Sequence, residues 1–562
     1  MSSKKEIDVL IVRAPEHNYE YLQWNEDINA AYLLSIFRTA GVSVDVHDFA
    51  LRSLNSKVNC NDLILQYLPK IVLWVMDKHP TNNPFHVSEI IREYSAKLTG
   101  IRPHLTIYGN TQVGPTRFLN ELPIDSIILG EEYDALSLVQ TILASEPLSK
   151  ATGVAYRSPD GLITKQASPR PDLDTLPWPT RYFFEQKEVS GKAEDYVGAV
   201  LASRGCYAKC TFCYLRTKEN THGEYSWQGR QPSDVVDEIE YLHRQHGVKE
   251  IAFVDTQFFG PGKRGQEQAI ELGNELISRR LEDISFSIYA RANDIEEESI
   301  KILKKAGLYA VFIGIESFSQ SVLDRYNKGV TVQQNMKAIE LLFKYGVRLR
   351  MGFITFDHET TFEEIEESTL ELRRLCNIRG DLITQPVFFN ASLTPLDNTP
   401  AGIAFKDNTK IPEIKTLAQA APNLYSYRSK LSRGSKYAIN KDIRVEILAE
   451  GVRMLAAEIT QRSTFLEAKL ANIMKCDGIQ RNYNCSDIPP QSAMNWFDSL
   501  TSFAVGCISD MIQDIKTSNN ICIEDKLNDM SFWIVSKCMD YDTEHFDYSI
   551  LENSSPRYIS VD

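Results

Sequence analysis

Hydrophobic positions along this chain follow two periods in alternation. Over residues 1–148, short β-branched runs at 9–12, 42–46, 71–76, 105–108 and 126–129 read as five strands. Between them lie amphipathic stretches such as 28–37, which stops at Gly41, and 87–94. Strand–helix alternation of this kind predicts a parallel sheet covered on both faces, a doubly wound Rossmann-like α/β domain. Its nucleotide-sized ligand would lie beyond the carboxyl ends of the strands.

Residues 149–192 read as a linker, because Ser168-Pro-Arg-Pro-Asp-Leu-Asp-Thr-Leu-Pro-Trp-Pro-Thr180 is rich in proline and lacks a period. Alternation resumes at 197–203 and continues at 250–255, 285–290, 310–315, 348–355 and 383–389. The helices between are punctuated. Pro232-Ser233 opens one that buries Val235, Ile239 and Leu242 and ends at Gly247. Thr331-Val-Gln-Gln334 is a capping box ahead of Met336, Ile339 and Phe343, stopped by Gly346, and Thr361-Phe-Glu-Glu364 repeats it. Six β/α units over 193–400 predict a partial TIM-type barrel whose working face is the carboxyl ends of its strands. Over 401–562 the strand signal fades, and 444–460 and 465–474 predict a mainly α-helical C-terminal domain. The polar stretch 549–562 reads as loose.

Composition narrows the class without changing this picture. The chain has 562 residues, 43% hydrophobic and 24% charged, which fits a globular protein of two or three domains. No apolar run approaches the ~18 residues that span a bilayer. Met1-Ser-Ser-Lys-Lys-Glu-Ile lacks the features of a signal peptide, so no membrane partner and a cytoplasmic location are expected. A net charge of −14 argues against a nucleic-acid partner, since polyanion binders depend on Lys and Arg at the phosphates.

Of ten cysteines, three sit close together, in Ala202-Ser-Arg-Gly-Cys206-Tyr-Ala-Lys-Cys210-Thr-Phe-Cys213-Tyr, at the exit of the first barrel strand. Three thiolates so spaced can ligate three irons of a cubane and leave the fourth open to an outside ligand. Gly205 permits the sharp departure from the strand. Ordinary buried thiols and a zinc site are the competing readings, the latter short of a nearby fourth ligand.

The segment Cys206-x3-Cys210-x2-Cys213 resembles the signature of the radical S-adenosylmethionine (SAM) superfamily, and later motifs extend the resemblance over about 195–390. Asp255-Thr-Gln-Phe258, Tyr289-Ala-Arg291-Ala-Asn-Asp294, Phe312-Ile-Gly-Ile-Glu316-Ser317, Lys305-Ala-Gly307 and Leu323-x4-Lys328-Gly stand in similar order in such proteins. The resemblance implies a [4Fe–4S] cluster on Cys206, Cys210 and Cys213, with SAM chelating the open iron. It also implies an external one-electron reductant of flavodoxin or ferredoxin type, and a 5′-deoxyadenosyl radical that takes hydrogen from an unactivated C–H bond. Phe212 would pack near the adenine, Arg291 would fork onto the SAM carboxylate, and Glu316 would accept from the ribose hydroxyls. The family's Gly-Gly-Glu at the second strand end is absent, and Asp255 and Gln257 occupy that neighbourhood.

Residues 7–145 resemble the cobalamin (B12)-binding domain that precedes many radical SAM modules, through Val9-Leu-Ile-Val-Arg-Ala-Pro15, Ala30-Ala-Tyr-Leu-Leu34, Tyr108-Gly109-Asn-Thr and Ile128-Leu-Gly130-Glu-Glu132. Cobalamin stays open. Asp45-Val-His47 nearly repeats the motif of a cobalt-ligating histidine but lies on the second strand, so His47 reads as a rim residue, and His17 fits little better. Gly109-Asn-Thr-Gln112 replaces the usual Gly-Gly-x-His.

Outside these motifs, Cys60, Cys376, Cys476, Cys485, Cys507, Cys522 and Cys538 read first as buried hydrophobes, any of which could instead return a hydrogen atom to a substrate radical. His358 follows the fifth barrel strand, and Gly260-Pro-Gly-Lys-Arg-Gly265 reads as a strand-to-helix loop, not a P-loop. The expected function is cobalamin-dependent C-methylation of a natural-product or peptide intermediate. Deoxygenation, epimerisation or cyclisation without cobalamin, and a non-catalytic iron–sulfur or zinc module, are the alternatives. The substrate, a small molecule or a peptide, is not legible.

Overall fold

The computed structural model describes residues 5–13, 27–49, 61, 64–76, 84–98, 101–109, 115–185, 196–215, 226–384, 392–393, 396, 399–408, 440, 442–474, 491–518 and 523–545. Two compact units result. One contains Met1–Tyr289, Lys301–Leu308 and Thr394–Asp407; the other contains Ala290–Ile300, Tyr309–Leu393 and Asn408–Asp562.

The first unit begins with β1 (Lys5–Arg13), α1 (Ile28–Thr39), β2 (Val44–Asp48), β3 (Tyr67–Val75), α2 (Pro84–Lys97), β4 (His104–Tyr108), α3 (Pro115–Glu121), β5 (Ser126–Ile128) and α4 (Glu132–Leu143). The five strands lie parallel in the order β2-β1-β3-β4-β5. Val9 is paired with Val44 on one side and Ile71 on the other. Val9 to Val12 and Ile71 to Trp74 are fully buried, as near-continuous apolar runs must be when helices cover both faces of a sheet. The order reverses between β1 and β3, so the ligand crevice of this doubly wound sheet belongs at their carboxyl ends. Gly109, just after β4, has φ +114° and lies so close to the chain after β3 that a Cβ would sit 2.2 Å from the Met76 carbonyl oxygen.

The linker carries more structure than its prolines suggest. β6 (Val154–Ser158) and β7 (Gly161–Thr164) form an antiparallel hairpin that extends the sheet to seven strands. Pro159-Asp160-Gly161 is its turn, and Gly161 takes φ +123°. The alternation at 154–158 is too short to stand out beside the proline-rich stretch that follows.

Beyond the linker, β8 (Val197–Val200), β11 (Glu250–Phe253) and β12 (Ser285–Ala290) form a parallel ladder, with a two-residue antiparallel pair, β9 (Ser203–Arg204) and β10 (Gln228–Gly229), after β8. Helices α5 (Pro232–His246) and α6 (Gly262–Ser278) connect them. As predicted, α5 starts on Pro232 and ends on a left-handed Gly247 (φ +71°).

In the second unit, β13 (Leu308–Glu316), β14 (Arg348–Phe353) and β15 (Ile383–Thr384) are parallel; 385–389 lie outside the described residues. They alternate with α7 (Gln320–Arg325), α8 (Val332–Lys344) and α9 (Phe362–Arg379). Both predicted capping boxes form, on Thr331 with Gln334 and on Thr361 with Glu364. Met336 is half-buried; Asn335 is the residue buried on that turn instead. Three long helices complete the unit: α10 (Ile443–Met474), α11 (Gln491–Thr517) and α12 (Ile523–His545). The two helices expected at 444–460 and 465–474 are one, because Gln461-Arg-Ser-Thr464 is polar but contains neither Gly nor Pro to break it. Buried Trp496 ties α11 to α12 by donating from Nε1 to Asp542 at 3.1 Å. Among the described residues, no helix is long and apolar enough to cross a membrane.

Gly109→Ala is expected to lower stability by about 2 kcal/mol or more, since it adds backbone strain and meets a carbonyl that cannot swing away. A denaturant midpoint unchanged from wild type would show that the crossing relaxes.

Candidate active site around the cysteine loop

The chain leaves β8 under unusual constraint. Three strand-exit carbonyls take hydrogen bonds from buried cations and their backbone: Arg181 Nη1 donates to Ala199 O at 2.9 Å, Arg230 Nη1 to Leu201 O at 3.1 Å, and the Arg230 amide to Ala202 O at 2.9 Å. Both arginines pair with Glu238, which α5 carries into the interior at 1% exposure. The linker, the β10–α5 junction and α5 therefore converge on the end of one strand.

Arg204 is the next fixed point. Its guanidinium is buried and forks onto Glu132, with Nη1 to Oε2 and Nη2 to Oε1 both at 2.9 Å, while Nη1 also reaches Glu131 Oε2 at 3.1 Å. Both glutamates stand just past β5, at the carboxyl edge of the N-terminal sheet, and are 2% and 0% exposed. The Arg204 carbonyl accepts from Arg170 Nη2 at 3.1 Å, and Arg170 Nη1 donates to Ser226 O at 2.6 Å. Gly205 then turns with φ +90°, where a Cβ would lie 2.5 Å from Ser226 O; no other residue fits.

Cys206, Cys210 and Cys213 follow in one loop, the second buried and the others half-buried, with Phe212 half-buried between them. The Ala208 amide donates to Cys206 Sγ at 3.4 Å, and the Cys213 amide to Cys210 O at 3.3 Å, a tight turn between the second and third cysteines. Among the described residues, no three His, Cys, Asp or Glu side chains converge as ligands of one metal ion would. A cubane holds its thiolates further apart, each on its own iron.

Asp255 lies just past β11, 2% exposed. Its Oδ2 accepts from the Ala202 amide at 3.2 Å, while Oδ1 is buried with no hydrogen-bond partner. Burial pushes this carboxyl up to about 7. Gln257, also buried, offers its carbonyl to Ser203 Oγ (2.8 Å) and Trp227 Nε1 (2.9 Å), which locks the β11 exit to the start of the cysteine loop.

In the second unit, Arg291 is 7% exposed; its Nε donates to Asn293 Oδ1 at 3.2 Å and its Nη2 to the Lys328 carbonyl. Glu316 ends β13 with φ +63°, beyond a register shift at Gly314, and its Oε1 accepts from buried Lys328 Nζ at 2.7 Å. Asn335 Nδ2 donates to the carbonyls of Ile315 and Ser317, both at 3.2 Å, and so holds the chain on either side of Glu316.

Other candidates fare differently. His47, expected at the rim, is buried on β2, with its ring 5.0 Å from Tyr67 and 5.9 Å from Phe49. His358 is half-buried in a loop fixed by Asp357, whose Oδ1 accepts from the amides of Glu359 and Thr360, and by Asn440 Nδ2 on the carbonyls of Asp357 and Thr360. Cys376, Cys507 and Cys538 are buried, and burial pushes their thiols up to about 11, 12 and 11. His17, Gln112, Cys60, Cys476, Cys485 and Cys522 lie outside the described residues. The roles of Arg204, Glu131, Glu132 and Lys328 were not read from sequence. Each sits within a quoted motif, yet its partner is 12 or more residues away.

Residues 200–372 match the Radical SAM superfamily and carry a radical SAM domain. The chain is 28% identical over 278 residues to an uncharacterized methyltransferase of Pyrococcus horikoshii, covering 49% of this chain and 57% of that protein. It is 32% identical over 259 residues to an anaerobic magnesium-protoporphyrin IX monomethyl ester cyclase of Rubrivivax gelatinosus, covering 44% and 45%. It thus spans about half the length of the curated relatives it matches. Its fold resembles that of the cobalamin-dependent SAM radical enzyme OxsB, solved with aqua-cobalamin and SAM bound: TM-score 0.70, 19% identity, covering 98% of this chain and 82% of that one.

Arg204→Met is expected to cost roughly 3–5 kcal/mol by stranding two buried carboxylates, and Glu131→Gln with Glu132→Gln in the same chain to recover most of it. A loss below about 1 kcal/mol in urea unfolding would mean the carboxylates find another cation. Asp255 gives a second expectation. Its carboxyl holds a proton more firmly folded than unfolded, so its contribution to stability falls as pH rises from about 4 to about 7. Without added ligand, Asp255→Asn should therefore gain on wild type from about pH 5 to about pH 7.5. Parallel pH profiles of the two proteins would contradict the burial of that charge.

Proposed function

We propose that this chain is a radical SAM enzyme that takes hydrogen from an unactivated C–H bond and transfers a methyl group to that carbon with the help of cobalamin. Cys206, Cys210 and Cys213 are the proposed ligands of a [4Fe–4S] cluster. Phe212, Asp255, Gln257, Arg291 and Glu316 are the proposed contacts of SAM. The observation that carries the reading is the pairing of a three-cysteine loop at one strand end with a buried carboxylate at the neighbouring strand end, one of whose oxygens has no hydrogen-bond partner among the described residues. That oxygen suits an N–H of the methionine amino group of SAM, a donor that no described side chain supplies there.

Held by Cys206, Cys210 and Cys213, such a cluster would pass one electron from a flavodoxin- or ferredoxin-type reductant to SAM, whose S–C5′ bond would break to give methionine and a 5′-deoxyadenosyl radical. The chain's own work is to hold and orient. Arg291 would donate to the SAM carboxylate, Glu316 would accept from the ribose hydroxyls, and Phe212 would pack near the adenine. The Ala208 amide on Cys206 Sγ withdraws charge from one thiolate, a lever on reduction potential.

Cobalamin, which would supply the methyl group, is assigned to the carboxyl ends of β1 and β3. The switch point of the sheet supports this, as does the likeness in fold to a protein solved with aqua-cobalamin bound. A second reading keeps the radical and omits cobalamin, giving deoxygenation, epimerisation or cyclisation. The replacement of the usual Gly-Gly-x-His by Gly109-Asn-Thr-Gln112 favours it. In either reading the substrate is a small molecule or a peptide.

Anaerobic reconstitution is expected to yield about four irons per chain, with 5′-deoxyadenosine formed from SAM under reduction. Cys210→Ala should lose both. Protein that carries zinc and no iron, or a Cys210→Ala variant that still makes 5′-deoxyadenosine, would overturn the assignment. Hydroxocobalamin kept through gel filtration supports methyl transfer; none kept moves the reading to the second.

A further inference from the structure

We propose that Lys328 is a positioning residue for the ribose of SAM: it fixes the carboxylate of Glu316 in the orientation that receives the sugar hydroxyls. The inference rests on the reading of Glu316 as the ribose acceptor and adds a residue to which nothing above gave a part.

Glu316 is 8% exposed, and its backbone is left-handed at φ +63°, which L side chains rarely adopt. A carboxylate so placed needs a counter-charge and a reason to stay. Lys328 supplies both. Its side chain is 6% exposed, and Nζ lies 2.7 Å from Glu316 Oε1. With Oε1 held by the ammonium, Oε2 is the oxygen left for an outside donor. Gly314 floors the pair. A Cβ at that position would lie 2.6 Å from Glu316 Oε1 and 2.7 Å from Lys328 Nζ, so the missing side chain is the space in which the two charged groups meet.

The backbone of Lys328 is anchored as firmly. Its amide donates to Leu323 O at 2.9 Å, and its carbonyl accepts from Arg291 Nη2. Gly329 follows with φ +66°, a conformation that L side chains rarely adopt. One residue thus touches both proposed SAM-reading groups, Arg291 through its carbonyl and Glu316 through its ammonium. An uncharged side chain at 328 would keep the first contact and lose the second. The effect should therefore fall on recognition of the ribose and spare the methionine end.

The test is the ratio of dissociation constants for SAM and for its 2′-deoxy and 3′-deoxy analogues, measured by calorimetry on reconstituted protein. Wild type should prefer SAM by roughly 10- to 100-fold over the analogue lacking the bonded hydroxyl, as expected of one hydrogen bond to a charged acceptor. Glu316→Gln and Lys328→Met should each bring the ratio to within a few-fold of one. Gly314→Ala keeps both charges and meets only the flexible ends of two side chains, so it should fold normally and still lower the ratio. If Lys328→Met does not fold, Lys328→Gln, close to it in length, takes its place. If Glu316→Gln loses the preference while Gly314→Ala, and Lys328→Met where it folds, retain it, Lys328 has no such part and the reading of Glu316 stands. No preference in wild type, or full preference in Glu316→Gln, removes that reading and the inference with it.

Discussion

Glu131 and Glu132 leave the last parallel strand of the N-terminal sheet almost without access to water, and Arg204 is the cation on which both depend. Two carboxylates buried side by side would repel each other and forfeit hydration; a guanidinium can answer both because its five N–H groups lie in one plane. A lysine could not, since a point charge cannot fork. The position of that guanidinium is therefore set by the N-terminal domain, although Arg204 belongs to the strand exit two residues ahead of Cys206. Where the first cysteine stands follows from where the sheet ends.

The same logic extends along the strand exit. Arg181, Arg230 and Glu238 form a buried group, balanced further by Asp234 on Arg230 Nε, and both arginines also donate to backbone carbonyls. Buried arginines that satisfy carbonyls are costly to displace, because each lost bond strands a polar group on both sides. A loop that must present three thiolates in fixed relation to one another is in this way held by its root and not by its tip. The tip is left to the cysteines themselves.

What was legible in the sequence divides along physical lines. The strands at 9–12, 71–76 and 105–108 were visible because both faces of a covered parallel sheet must be apolar, and the helix ends at Gly247, Thr331 and Thr361 because capping chemistry is local. The cysteine spacing was visible for the same reason: its partners lie within one turn of each other. The hairpin at Val154–Thr164 was obscured by neighbouring prolines, and the single helix Ile443–Met474 by a polar stretch that carries no breaker. Pairings across the fold left no local trace. Arg204 lies 73 residues from Glu131, and Lys328 lies 12 from Glu316 across a helix and a turn, so neither pair has a period or a spacing by which to be found.

Both units also concentrate charge where the backbone turns against its preference. After β9 the turn falls on Gly205, at no steric cost, and the ion pairs stand beside it on Arg204. After β13 it falls on Glu316, which pays the left-handed penalty of a residue with a Cβ, on the order of 1–3 kcal/mol. Glycine at that position would remove the strain, but it would also remove the carboxylate. The strain is tolerable only because Lys328, Asn335 and the Ile354 amide, which donates to the Glu316 carbonyl at 2.9 Å, leave the chain no other arrangement. A strained acid over-determined by its neighbours is what a binding group requires when it must meet a ligand without rearranging.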